Sequence, residues 1–120
     1  MLSIELKDKD KLGRTAFHSA CEYGSLEIVD MLLRNSAEIN IDLNAKDFDG
    51  YTAYHLACQL GPEHIVQKMI ETASTYNFDI SARTKNGKTG LMLAEECGRR
   101  RVVDLIKSKR QKCQNLESWN

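Results

Sequence analysis

One nine-residue string occurs three times at a constant interval, and it constrains the fold more than any other feature. Residues 50–58 read GYTAYHLAC, residues 13–21 read GRTAFHSAC, and residues 87–95 read GKTGLMLAE, so the interval is 37 residues both times. The third copy has lost the histidine and the cysteine. A fixed period of this size predicts stacked supersecondary units, each of which buries an apolar face against its neighbours.

The residue types within one unit predict a tight turn followed by two helices. A glycine at the turn supplies a positive φ, and the threonine two residues later is a good N-cap. A second glycine is expected to end the first helix in a left-handed conformation. Ser25 or Pro62 then begins an outer helix, in which Ile28, Val29, Leu32 and Leu33 are expected to form one buried stripe. The predicted inner helices lie near 15–23, 52–60 and 89–97, and the outer helices near 26–35, 62–74 and 99–109.

The Thr-x-x-His signature resembles that of the ankyrin repeat, Thr-Pro-Leu-His-x-Ala in a unit of about 33 residues. The resemblance covers residues 6–110 and implies an all-α solenoid. It predicts an entry strand or repeat remnant over 1–9, repeats over 10–46, 47–83 and 84–110, and a polar tail over 111–120. Ala16, Ala53 and Gly90 replace the proline of the signature. The surplus residues follow the outer helices, where they are expected to extend one edge of the stack without disturbing it.

The two ends of the stack differ in sequence. The third unit has Glu95 where its siblings have cysteine, and Lys107 where they have Leu33 and Ile70. Because a buried charge is costly, we interpret this unit as a C-terminal cap that faces water. The first unit shows no such replacement, and its upstream face is expected to keep an apolar pattern. Either residues 1–9 shield that face, or the chain comes from a longer array.

His18-x-x-Cys21 and His55-x-x-Cys58 are the residues that most suggest chemistry. Taken alone, they would fit a zinc site or a Cys–His nucleophile pair. They are copies of one position in successive repeats, however, so they are not expected to converge on one metal, and core thiols make poor nucleophiles. The resemblance implies that the histidine hydrogen-bonds to the threonine and the turn backbone. No phosphate loop or other catalytic motif appears, so we expect no enzyme activity, metal or cofactor.

Composition limits the compartment and the partners. The formal net charge is zero, and no apolar run is long enough for a membrane span. The four cysteines are interpreted as reduced thiols, which predicts a location in the cytoplasm or the nucleus. The chain is expected to be a monomer without membrane contact. Residues 98–112 carry seven basic side chains and one acid. The alternative function is therefore polyanion or nucleic-acid binding through Arg99–Lys112, although no aromatic residues accompany the cluster, as single-strand binding would need.

The preferred function is that of a protein-interaction scaffold or adaptor, because solenoids bind partners on extended concave surfaces. The predicted contacts are the residues that the fold does not need, at the hairpin tips and at the ends of the inner helices. Aromatic residues in such positions are the usual anchors of an interface, and the tips are rich in lysine, so the expected partner presents an acidic segment with apolar residues. The candidate residues are Lys11, Leu12, Arg14, Tyr23, Lys46, Phe48, Asp49, Tyr51, Gln59, Leu60, Lys85, Asn86, Lys88 and Glu96.

A further resemblance concerns asparagine. In some ankyrin proteins the asparagine of the hairpin is hydroxylated by an oxygenase. The extra residues leave open whether Asn40 or Asn44 holds that place, and a purely structural hairpin is the alternative.

Overall fold

The structure is a computed structural model that describes residues 9–23 and 25–108. It contains three helix pairs: α1 (Ala16–Tyr23) with α2 (Leu26–Arg34), α3 (Ala53–Leu60) with α4 (Glu63–Tyr76), and α5 (Gly90–Glu96) with α6 (100–108). The inner helices α1, α3 and α5 pack side by side, and the outer helices α2 and α4 pack behind them. The described residues form no strand. This is the all-α solenoid that the family resemblance implied.

The hairpin tips have the predicted conformation. Gly13, Gly50 and Gly87 all lie at φ near +80° (81°, 82° and 80°), which is why glycine occupies each turn. The Oδ1 atoms of Asp10 and Asp47 each accept two backbone N–H groups of their own turn. Successive tips are also joined by backbone hydrogen bonds, from the N–H of residue 48 to the carbonyl of residue 12 (3.0 Å) and from residue 85 to residue 49 (3.2 Å).

The caps of the helices also follow the prediction. Thr52 and Thr89 accept the N–H groups of the third residue of α3 and α5, and Ser25 does the same for α2. Pro62 precedes α4, which extends two residues beyond its predicted end. It stops where Asn77 adopts the left-handed conformation at φ 58°.

The prediction that the second glycine ends each inner helix in a left-handed conformation is wrong for Gly61. Its φ is −82°, a value that any residue adopts. The reason for glycine is space, because a Cβ there would lie 2.5 Å from the carbonyl oxygen of Cys21. Gly98 does have positive φ (69°), and Gly24 lies outside the described residues.

Two expectations about apolar residues are also wrong. Ile28 is 47% exposed, whereas Val29, Leu32 and Leu33 are buried, so the stripe on α2 has three members. The surplus residues are not a mere edge, since Ile41 and Phe78 belong to the core. The ring of Phe78 packs edge-on against Phe17 with the centroids 6.4 Å apart.

The downstream end of the stack is charged and exposed. Glu95 and Lys107 lie on the surface, and their charged groups are 3.8 Å apart. Residues 1–8 and 109–120, which include the predicted tail and most of the predicted entry strand, lie outside the described part of the chain.

Candidate functional site

The two signature histidines are part of the scaffold. Nδ1 of His55 accepts the backbone N–H of Thr52 (2.8 Å) while Thr52 caps α3, which closes a capping box. Nδ1 of His18 accepts the N–H of Thr15 in the same way (3.0 Å). Since Nδ1 is an acceptor, the proton lies on Nε2. The local hydrogen bond implied by the family resemblance is therefore present in both repeats.

The same histidines also connect neighbouring repeats, which the sequence did not reveal. Nε2 of His18 donates to the carbonyl of Tyr51 (2.9 Å) and Nε2 of His55 to that of Ala82 (2.8 Å). Burial lowers the pKa of both rings, against the opposing influence of these carbonyls. Both imidazoles are thus held neutral, as the two-sided hydrogen bonding requires.

The cysteines of the couplets are enclosed. Cys21 and Cys58 are fully buried free thiols. Burial raises the pKa of Cys21 far above its ordinary range and that of Cys58 to about 12, so neither supplies a thiolate at neutral pH. Within residues 9–23 and 25–108, no group of three His, Cys, Asp or Glu side chains is placed to hold a metal ion. None of the helices in this part of the chain is both long and apolar enough to span a bilayer.

At the hairpin tips, two apolar side chains lie on successive turns and form what we call the tip patch, Leu12 and Phe48. They are 54% and 61% exposed. One side of the Phe48 ring rests on Gly13, where an added Cβ would come within 2.6 Å of the ring. The aromatic group is therefore held in place by the neighbouring hairpin while most of its surface faces water. Lys11, Asp49, Lys85 and Asn86 are exposed at the same tips.

Several of the predicted contact residues are engaged with one another. Arg14 is half-buried and pairs with Asp47 (3.2 Å) and Glu22 (3.5 Å). In the third repeat, the counterpart of Arg14 is Lys88, which pairs with Glu96 at 2.7 Å. Glu22 is buried, so the pair with Arg14 lies largely out of contact with solvent.

The middle repeat interrupts this row of ion pairs. Tyr51 and Gln59 occupy the positions of the Arg14–Glu22 pair, and both are half-buried. The ring of Tyr51 packs edge-on against His55 with centroids 5.7 Å apart. The uncharged side chains of Tyr51 and Gln59 thus lie between two ion pairs, Arg14–Glu22 and Lys88–Glu96.

At the far ends of α1 and α3, Tyr23 and Leu60 are 78% and 57% exposed. Both side chains thus lie on the surface. Lys46 is exposed as well, although its ammonium group donates to the carbonyl of Arg83 (3.3 Å).

The basic C-terminal end is less available than its sequence suggested. The guanidinium of Arg99 donates to the carbonyls of Ala57, Cys58 and Gly61 at the end of α3. Arg99 is therefore a C-terminal cap for a helix of the preceding repeat, and no sequence pattern pointed to that role. Lys107 lies near Glu95, and residues 109–112 are outside the described residues. The structure therefore gives the polyanion alternative no support.

The two asparagines differ in structure. Asn40 is exposed in a left-handed conformation at φ 56°. Asn44 links two loops, because its Oδ1 accepts the N–H of Asp79 (2.7 Å) and its amide donates to the carbonyl of Asn77 (3.4 Å). The loop that follows α2 is thus tied to the loop that follows α4 in the next repeat.

Stacked helix pairs, projecting tips and side chains that connect one unit to the next define a helical repeat protein. Two family models match the chain: one for ankyrin repeats (many copies) over residues 2–57, and one for ankyrin repeats (3 copies) over residues 39–116. The second covers more than half of the sequence, and the chain belongs to the ankyrin repeat family. Comparison with individual curated proteins gives no match. Ankyrin repeats are generally protein–protein interaction modules and are typically non-catalytic.

Proposed function

We propose that this chain is a scaffold or adaptor that holds a protein partner at the tip patch and along the concave face, without chemistry of its own. The observation that carries the proposal is the tip patch itself: two large apolar side chains on adjacent turns, exposed although the core does not need them. An aromatic group that is already ordered loses little conformational entropy when a partner covers it, which favours its use as an anchor.

The proposed partner presents an acidic segment that contains apolar residues. The tip patch is bordered by Lys11 and Lys85, neither of which forms an ion pair among residues 9–23 and 25–108. Unpaired lysines around an apolar centre favour carboxylates at the rim and steer their approach. Tyr51 continues this surface toward the inner helices. Arg14, Lys88 and Glu96 contribute less, because Arg14 is already paired with Asp47 and Glu22, and Lys88 with Glu96.

We propose that the protein acts as a monomer in the cytoplasm or the nucleus. Buried, reduced thiols support a reducing compartment. The exposed Glu95–Lys107 pair supports the absence of further stacking at the downstream end, since burying both charges would cost more than it gains.

The test is a selection of random peptides displayed on phage against the immobilised full chain. Enriched peptides should combine Asp or Glu with aromatic or aliphatic residues. Their binding should fall at least about tenfold with Phe48→Lys, because the anchor is lost. Lysine is the residue that both other repeats have at this position, so the fold should tolerate it.

The matched control is Met31→Lys. It makes the same kind of change at a methionine that is 51% exposed on α2, and Lys68 holds that position in the second repeat. Selected peptides should bind this variant as they bind the wild type. The proposal is wrong if no enriched peptide combines acidic with apolar residues, or if such peptides bind Phe48→Lys as well as they bind the unmodified chain.

A further inference from the structure

The outer helix α2 exposes apolar side chains, one of them at a position that its successors bury. Ile28 is 47% exposed and Met31 51%. The counterparts of Ile28 in the next repeats, Ile65 and Val102, are fully buried. The relevant difference is that α4 and α6 each follow another outer helix. We call Glu27, Ile28 and Met31 the upstream strip.

The shape that fits the upstream strip is an α-helix. In the stack, α4 packs against α2 with Lys68, the counterpart of Met31, 3.0 Å from Asp30. A helix placed on α2 in the same relation would cover Ile28 and Met31 with its own apolar face, and the burial of apolar area would drive the contact.

The inner-helix side of the same end argues for a single helix rather than a complete repeat. Ser19 is exposed there, whereas its counterparts Leu56 and Leu93 are buried. The expectation that the first unit has no polar replacement on its upstream face is therefore wrong at Ser19. A second helix packed on α1 would cover a hydroxyl where the other joints bury leucine, so the apolar surface is confined to α2.

The charges of the upstream strip indicate which helix fits. At the joints between outer helices, the upstream helix supplies the acid and the downstream helix the base: Asp30 with Lys68, and Glu63 with Arg101 at 3.9 Å. The position of Arg101 is held in α2 by Glu27, which is exposed and forms no ion pair with residues 9–23 and 25–108. The polarity is reversed, so an acidic helix would be repelled and a basic one attracted.

We propose that the upstream strip is a docking site for an amphipathic helix of a partner protein, with an apolar face bordered by lysine or arginine. This site is separate from the tip patch, and its occupant has the opposite charge to the partner proposed there. One chain would then join two different proteins, which is what an adaptor does.

The test uses two synthetic peptides and the full-length chain. One is an 18-residue helix with leucines at i, i+3, i+4 and i+7 spacing flanked by lysines, and the other replaces the lysines with glutamates. Fluorescence anisotropy of the labelled peptides measures Kd. The comparison is made in the Phe48→Lys variant, which removes the proposed site for acidic peptides, and there the lysine peptide should bind at least about tenfold more tightly than the glutamate peptide.

Substitutions at the upstream strip should alter this binding in defined ways. Met31→Lys should weaken the lysine peptide at least about tenfold by placing a cation in the apolar contact, and Glu27→Arg should transfer the preference to the glutamate peptide. Ile28→Ser is a second variant that removes an apolar side chain from the strip, and it replaces Met31→Lys if that variant lowers the melting temperature. The controls are Phe48→Lys at the tip patch, which should leave the Kd of the lysine peptide unchanged, and Met92→Lys on α5, which should leave both Kd values unchanged.

Four results would overturn the proposal. These are no binding of the lysine peptide up to about 1 mM, equal binding of the two peptides to the Phe48→Lys variant, insensitivity of the lysine peptide to the strip variants, and loss of lysine-peptide binding with Phe48→Lys. Sedimentation velocity supplies a fifth. If the chain forms a dimer that Met31→Lys dissociates, the upstream strip is occupied by a second copy of the chain and not by a partner protein. Because the phage selection depends on Phe48 and this test on Met31, either proposal can fail while the other stands.

Discussion

Gly61 and Gly98 hold the same position in consecutive repeats, yet the structure gives them different reasons to be glycine. Gly61 has an ordinary φ of −82° and no room for a side chain, since a Cβ would lie 2.5 Å from the carbonyl oxygen of Cys21 and 2.8 Å from Cα of Ala57. Gly98 has φ of +69° and nothing within 4 Å of the Cβ position. Substitution therefore tests space at one site and backbone conformation at the other.

The expected magnitudes follow from these two causes. Gly61→Ala overpacks backbone against backbone, where no side chain can turn away, and should destabilise the chain by about 2–3 kcal/mol. It also disturbs the carbonyl that accepts a hydrogen bond from Arg99. Gly98→Ala costs about 1–2 kcal/mol for the left-handed conformation, and the loss of unfolded-chain entropy offsets about half of that. The net loss at Gly98 should stay below about 1 kcal/mol.

Urea denaturation followed by circular dichroism measures both effects, and asparagine variants separate the causes. Asparagine tolerates the left-handed region, so Gly98→Asn should lie within about 0.5 kcal/mol of the wild type, whereas Gly61→Asn should cost at least as much as Gly61→Ala. In thermal melts, Gly61→Ala should lower Tm by about 10 °C or more. The reasoning is refuted if Gly61→Ala is as stable as the wild type, or if asparagine rescues position 61 rather than position 98.

Two further predictions concern the buried titratable groups. Burial holds the pKa of His18 and His55 below the ordinary value of 6.5. Below pH 6.5 the unfolded chain therefore binds more protons than the folded chain. The free energy of unfolding should be constant above pH 6.5 and should fall as the pH drops below that value. The double variant with glutamine at both positions should be less stable at pH 7.5 and should lose this dependence, and a pH series of urea titrations compares the two proteins. Iodoacetamide at pH 8 followed by peptide mass spectrometry should modify the exposed Cys97 rapidly and leave Cys21 and Cys58 unmodified until urea is added, because burial raises the pKa of both thiols; labelling of Cys21 in the native chain at the rate of Cys97 would show that the first joint opens.

The sequence predicted what depends on one repeat alone. Turn glycines, threonine caps and helix bounds follow from hydrogen bonds that close within a few residues, and period and residue type suffice to place them. The stacked architecture follows from the repetition itself, and the all-α character follows from the family resemblance. The exposed Phe48 and Leu60 were also identified correctly as surface residues, because their positions are not needed by any packing pattern inside the unit.

What the sequence missed depends on contacts between repeats. Gly61 was assigned the wrong reason, because its crowding comes from the backbone of Cys21 in the preceding repeat. Arg99 belongs to a basic run in the sequence, but in the structure its guanidinium donates to carbonyls at the end of α3. Ile28 was expected in the core because of its helical spacing from Leu32, but burial at that position requires a helix on the upstream side, which its buried counterparts Ile65 and Val102 have. A periodic pattern describes the repeat in the middle of a stack and is misleading at its ends.

The signature histidine illustrates both cases in one residue. Its Nδ1 serves the turn of its own repeat, while its Nε2 needs a carbonyl of the next one: Tyr51 for His18 and Ala82 for His55. The third repeat has Met92 instead, 39% exposed, and its helix begins with the same threonine cap without a histidine. The cap alone therefore does not require the ring. A buried imidazole costs desolvation that only two-sided hydrogen bonding offsets, so the histidine is useful where a following repeat supplies the acceptor and is dispensable where the described stack ends.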